Sequence, residues 1–239
     1  MAKFIIKDKV MDKNFWETIK NLRIAVAAVD VAVFSIIDNE LNVFLIPIDR
    51  PPHYTNLSGL PGGLILADET AEEAAKRLLN DKMSIKKANL MQLYTFSNPD
   101  RDKRSRSISI AYLILISSNS VNIKESLGKW TPINKLPKLA YDHDQIIEVA
   151  LDRIKAKFAY TNIASLLLPK KFSLTELQKV YEIILAKDFD KRNFRKRILA
   201  SGMIEATGTQ IEIYHRPATL YSFKNPDIIT IPEIKSALA

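Results

Sequence analysis

The chain contains no cysteine. That excludes a disulfide scaffold, thiolate metal sites and a cysteine nucleophile, and it fits the cytoplasm. Long hydrophobic runs are absent as well. No stretch reaches the roughly 18 apolar residues of a membrane helix, so no membrane partner is expected. The start, MAKFIIKDKVMDK, interrupts its apolar residues with charges every two or three positions, unlike a secretory signal. What is present is the make-up of an ordinary globule, 47% apolar and 26% charged. A length of 239 residues allows one large domain or two small ones.

Charge is unevenly spread. The total of 35 basic and 27 acidic residues gives a net +8. Residues 1–150 hold 20 basic and 18 acidic side chains, whereas residues 151–239 hold 15 and 9. Most of the positive excess therefore lies in the shorter C-terminal part, as expected of a polyanion-binding module joined to a near-neutral one. A lysine-rich surface serving solubility would give the same total.

Residues 24–37, IAVAAVDVAVFSII, form a nearly unbroken Val- and Ile-rich run. With Asp38-Asn39 as a turn and residues 41–46, LNVFLI, the pattern predicts two mostly buried strands, the second ended by Pro47 and Pro51-Pro52. In residues 57–63, LSGLPGG, the pair Gly62-Gly63 after Pro61 marks a tight turn where backbone passes close to a neighbour. Thr70 and Glu73 make a T-x-x-E capping box opening a helix. Ala71, Ala74, Ala75, Leu78 and Leu79 form its apolar stripe, and its end is expected near residues 82–84. Further strands are predicted at 90–95, 108–116 and, in VNI, 121–123, with a polar loop NPDRDKRSRS at 98–107 and a second helix at about 142–158. Strands, helix, strands, helix describe layered α/β architecture.

The spacing of Gly63, Glu69 and Arg77 resembles the opening of the Nudix box, G-x5-E-x7-R-E-U-x-E-E-x-G-U with U aliphatic. Leu79 and Ile85 match too, whereas Leu78, Asp81, Lys82 and Ser84 depart. The resemblance implies a mixed sheet between helices and ligands built on a nucleoside diphosphate. Catalysis in that superfamily uses divalent cations held by helix carboxylates. Mg²⁺ wants anionic oxygens; Leu78 supplies none and Lys82 repels the ion. The resemblance therefore implies a pocket without a catalytic centre, a metal or a cofactor. The residues expected to hold a phosphorylated effector are Arg50, Gly62, Gly63, Glu69, Arg77, Asp81, Arg101 and Arg106, with Lys82 as a further cation. Arg77 could instead serve a structural ion pair with Glu73 or Glu69. A neutral sugar would want amides, carboxylates and an aromatic platform, for which Tyr54, Asn56, Asp68 and Trp130 are available.

In the last third, Ser173 and Glu176 form a second capping box before a helix with Leu177, Val180, Tyr181, Ile184 and Leu185 as its apolar face. Asp190 is a good N-cap for a short following helix, and Gly202 its natural C-terminal stop. Phe194, Ile198 and Leu199 are expected to face inward. Lys191, Arg192, Arg195, Lys196 and Arg197 place five basic residues within seven positions. Two short helices, the second strongly basic, describe a helix-turn-helix. Strand character at 203–207 and 219–223, around His215 and Arg216, adds a wing. Candidate DNA contacts are Thr175, Gln178, Lys191, Arg192, Asn193, Arg195, Lys196, Arg197, His215 and Arg216.

LTELQKVYE at 174–182, DKRNFRKR at 190–197 and RPATLY at 216–221 resemble the winged helix of the Nudix-related transcriptional regulators. NPDRDKRSRSISIAY at 98–112 and LAYDHDQI at 139–146 are similar to that family as well. The resemblance implies an α/β Nudix-like sandwich, residues 1–157, with a second, smaller α+β winged helix-turn-helix domain, residues 158–239. It also implies a homodimeric repressor that binds double-stranded operator DNA and answers to ADP-ribose or a sugar. A Nudix hydrolase of ADP-ribose or a related compound is the alternative. Residues 225–239 have no assigned role.

Overall fold

The computed structural model describes residues 24–118, 127–213 and 216–231, with the side chains of 210–217 outside the description. The predicted strand at 121–123 and His215 lie outside the described residues, as does the side chain of Arg216.

Strand β1 (Val26–Ile37) is the spine of the first sheet. It turns at Asp38 and Asn39, both with positive φ, into β2 (Glu40–Arg50), with Phe34 opposite Val43. β3 (Tyr54–Gly59) pairs with β2, and β4 (Gly62–Leu64) with β1. Helix α1 (Ala71–Met83) follows, then β5 (Met91–Phe96), β6 (Ser107–Leu115) and β7 (Lys129–Pro132). The order is β3-β2-β1-β6-β5, with β1 and β6 parallel. Pro47 does not end β2, contrary to expectation. It pairs with Ser58 beyond the part of β2 that β1 and β7 hold, at a position where a missing N–H is tolerated.

Both faces of β1 are buried, which explains its unbroken apolar run. Val29, Val31 and Val33 pack with Ala74, Ala75, Leu78 and Leu79 of α1. Ala32 and Phe34 face the other way, in one core with Ile146, Ala150 and Ile154 of α2 (His143–Phe158). The sheet is thus sandwiched between α1 and α2. The capping box predicted for α1 is complete, and Ser84 closes the helix at φ 57°.

A 3-10 turn at Ile163–Leu166 leads to β8 (Phe172–Ser173), α3 (Leu174–Leu185), α4 (Lys191–Ala200), β9 (Ile204–Ile213) and β10 (Arg216–Phe223). The three strands form a small sheet in the order β8-β10-β9. Ser173 caps α3 through its complete capping box, and Asp190 accepts from the Asn193 N–H at the start of α4. Leu199 points outward at 47% exposure, against the expectation that it faces in; Phe194 and Ile198 alone supply the inner face of α4.

The core that begins between the sheet and α2 continues into α3 and α4. Phe158, the last residue of α2, meets the Tyr181 ring at 5.1 Å; Tyr181 meets Phe194 at 5.6 Å. The tail also returns to this junction. Asn162 donates to the carbonyls of Asn225 and Asp227 and accepts from the Ile229 N–H, while Ile231 donates from its backbone to Tyr160 and buries its side chain.

Candidate functional site

A cavity of about 410 Å³ opens where the start of β1, the end of β2, β4, α1, the loop before β6 and the start of α2 converge. Its floor is a buried ionic cluster. Asp30 is the lone acid within the apolar run of β1, and its carboxylate accepts from Ser109 Oγ at 2.7 Å and Arg101 at 3.1 Å. Arg101 also forks onto Asp142, just before α2, at 2.7 and 3.0 Å. His143 Nδ1 accepts from the Leu60 N–H at 2.9 Å, which puts its own proton on Nε2, 3.3 Å from Asp30. Burial pushes the Asp30 carboxyl up, but His143, the Ser109 hydroxyl and Arg101 outweigh it and bring the value to about 2.

Above this floor the Gly62-Gly63 backbone forms one wall. A Cβ on Gly62 would lie 2.1 Å from Asp30 Oδ1, so only glycine permits this approach. Lys82 enters from α1 and donates to the Gly62 carbonyl. Burial pushes its ammonium below the usual lysine range, partly offset by Asp30. At the mouth, Tyr141 packs on the buried Tyr54 at 4.3 Å, and the Arg104 guanidinium lies 5.2 Å from the Tyr141 ring centroid while forking onto Asp102.

Of the residues expected to hold an effector, Arg50, Gly62, Gly63 and Arg101 line this cavity, together with Lys82. Arg101 spends its charge on Asp30 and Asp142 and is 7% exposed, so it organises the floor rather than presenting a free cation. Glu69, Arg77, Asp81 and Arg106 are not among the lining residues. Arg77 forks onto Glu69 and donates to the Leu64 carbonyl, and Glu69 accepts from the Leu66 N–H. The pair braces the loop against α1; Glu73 is used by the cap instead. Asp81 is exposed beside Asn80, and Arg106 donates to the Ser97 carbonyl. The charge expected from the 101–106 loop is supplied at the cavity by Arg104, whereas the sequence reading missed Asp30, Tyr141 and His143. An aspartate inside VAAVDVAV was the available signal for the first. None of the sugar candidates lines the cavity: Tyr54 is buried behind Tyr141, and Trp130 packs edge-on against Phe44 in the sheet.

The second site is the surface of α4. Phe194 and Ile198 fix its orientation by packing beneath Tyr181 and Phe189. Lys191, Arg192, Asn193, Lys196 and Arg197 are consequently exposed, and Arg195 is half-buried with its guanidinium 3.4 Å from Thr175 Oγ1. Among the described residues the ion pairs do not engage Lys191, Arg192, Arg195 or Lys196. Gln178 donates to Glu182 and to the Phe189 carbonyl, so its amide holds the turn between the two helices. The wing hairpin, β9 against β10, follows α4 in the chain.

Two family models match. Residues 27–150 fit the NUDIX domain, and residues 164–223 fit the NrtR DNA-binding winged helix domain. An ADPR responsive transcriptional repressor, NtrR, of Acinetobacter baylyi is 34% identical over 206 residues, covering 83% of this chain and 82% of that protein. The chain belongs to the NrtR-like family of Nudix and winged-helix transcriptional regulators. A crystal structure of Shewanella oneidensis NrtR complexed with a 27mer DNA superimposes with a TM-score of 0.74 at 33% identity, over 88% of this chain and 95% of that one. Like its relatives, this NrtR-like chain is a DNA-binding, ligand-responsive transcriptional regulator with a regulatory rather than catalytic role.

An ADP-ribose pyrophosphatase of Methanocaldococcus jannaschii is 32% identical over 120 residues, which covers only 49% of this chain and 70% of that enzyme. Against the superfamily's carboxylate helix, the NrtR-like chain has Leu78 packed under Gly63, Asp81 facing outward and Lys82 inside the cavity. This donor set does not suit a divalent cation. No helix of the described residues is long and apolar enough to cross a membrane.

Proposed function

We propose that the cavity receives ADP-ribose or a closely similar nucleoside diphosphate sugar, and that its occupancy alters how a homodimer holds palindromic operator DNA. The observation that carries this reading is Lys82. The superfamily's box has a metal-binding acid at that position; this chain points an ammonium into the cavity, where it can offset diphosphate charge without an ion. Arg50 and Arg104 add cations at the rim, and Tyr141 adds an aromatic face. The repressor relative named for its response to ADPR and the pyrophosphatase relative support the same ligand class. A neutral sugar is less well served, because Tyr54, Asn56, Asp68 and Trp130 all stand outside the cavity lining.

The effector part is residues 1–157 and the DNA-binding part residues 158–239, and α2 connects them. It begins at the cavity floor, with Asp142 on Arg101 and His143 in the lining, and ends with Phe158 against Tyr181, which supports the α4 residue Phe194. A ligand that moves the floor therefore moves one end of a rigid helix whose other end seats the DNA-binding pair. Regulation requires that the two arrangements differ in ligand affinity. In a dimer, two copies of α4 would read half-sites about one helical turn apart.

A thermal-shift panel tests the reading. ADP-ribose at about 100 times its dissociation constant should stabilise the fold by about 2.7 kcal/mol and change operator affinity in a parallel gel-shift titration. Stabilisation by neutral sugars but not by ADP-ribose would overturn the ligand assignment. Release of AMP from ADP-ribose with Mg²⁺ should stay at background; turnover of about 1 s⁻¹ would favour the hydrolase.

A further inference from the structure

The outward face of α4 carries one apolar side chain that neither the fold nor the phosphate backbone explains. Successive helical residues are about 100° apart, so positions i, i+4 and i+7 fall on one stripe. The buried Phe194 and Ile198 define the inner face. Nearly opposite them lie Arg192 and Lys196, both exposed, and Leu199, 47% exposed, continues that stripe on its edge towards Arg195, about 120° from the buried pair. Arg195 lies to one side, beside Thr175 on α3. The helix thus has a central stripe that reaches straight out and a flank that meets duplex from the side. Charge on the flank suits phosphates, whereas side chains on the outward stripe are placed to reach base edges on the groove floor.

A leucine there has no partner among phosphates. Its fit on the groove floor is the C5-methyl of thymine, the one apolar group the major groove presents. We propose that Leu199 is a specificity-determining residue that reads a thymine methyl, about 10 Å along the groove from the base contacted by Arg192. This rests on the regulator reading of the chain and assigns Leu199 a role within it. The contact is apolar, so its contribution does not follow the salt dependence of the lysine and arginine contacts.

The test begins with a duplex selected from a randomised pool by the full-length protein. Each thymine of the selected site is then replaced in turn by deoxyuridine, which deletes only the methyl. For the wild type, one thymine position per half-site should weaken binding about 3- to 5-fold on replacement, by the same factor at low and high salt. Leu199→Ala should bind the thymine and deoxyuridine duplexes equally while remaining folded, since Leu199 is not part of the buried core. Leu199→Val should keep part of the discrimination. The assignment is overturned if the wild type shows no methyl dependence at any thymine. It is equally overturned if Leu199→Ala retains the full factor. Failure to select any sequence would instead count against DNA recognition by the whole winged helix.

Discussion

Gly62 and Asp30 depend on each other. Gly62→Ala would place a methyl 2.1 Å from the Asp30 carboxylate and 2.7 Å from the Val29 carbonyl. We expect a loss of about 1–3 kcal/mol in urea unfolding and a blunted ligand-induced thermal shift. Asp30 also makes stability depend on pH. Its value of about 2 lies below the ordinary 3.8. The ionised carboxylate therefore stabilises the fold fully above about pH 4, and that contribution fades as pH falls through about 2. A pH series should show the wild type losing about 2 kcal/mol across this window, and Asp30→Asn lacking that component. Ser84 stands where the Nudix box has glycine, and it adopts φ 57°. Ser84→Gly should add about 0.5–1 kcal/mol in the same assay, because glycine enters the left-handed region without strain. Gly62, Gly63 and Lys82 could be picked out from the motif alone. Asp30, Tyr141 and His143 could not, since the residues lining the cavity come from segments as much as 117 positions apart.

Elements were read more easily than sites. The caps of α1, α3 and α4 announce themselves in short polar patterns before apolar stripes, and all three form as expected. β2 runs past Pro47 because the strand is held there by β3 alone, a circumstance that no local pattern displays. β9 and β10 extend further through the polar wing than their apolar ends suggested, because antiparallel pairing, not composition, sustains them. The tail was illegible for a similar reason. Its anchor, Asn162, lies 63 to 67 positions away. Asn162→Ala should cost about 1–3 kcal/mol in thermal unfolding and should speed amide exchange at residues 225–231, since Ile229 loses its acceptor.

Across the whole molecule, charge divides the labour. In the first part the buried Arg101 is taken up by Asp30 and Asp142, whereas α4 keeps Arg192 and Lys196 exposed. Neutralising Arg192 and Arg195 together should weaken operator binding strongly. It should also reduce the slope of log affinity against log salt by about 1–2, measured by fluorescence anisotropy, while leaving the ADP-ribose thermal shift intact. Retained DNA affinity in that variant would contradict the role given to α4. The continuous core from α2 into α3 and α4 makes the ligand-binding and DNA-binding parts mechanically dependent, through the contacts of Phe158, Tyr181 and Phe194.

The linear chain by itself determined the two-part organisation, the degenerate metal helix and the strongly basic short helix of the winged domain. These follow from spacing and residue type, which act over a few turns. Only the tertiary structure decided which cations face the cavity, that Arg77 braces a loop and Arg101 a floor, and that Leu199 looks outward. Those outcomes depend on which distant side chain completes each charge or fills each gap. Burial imposes that selection only once strands and helices have come together.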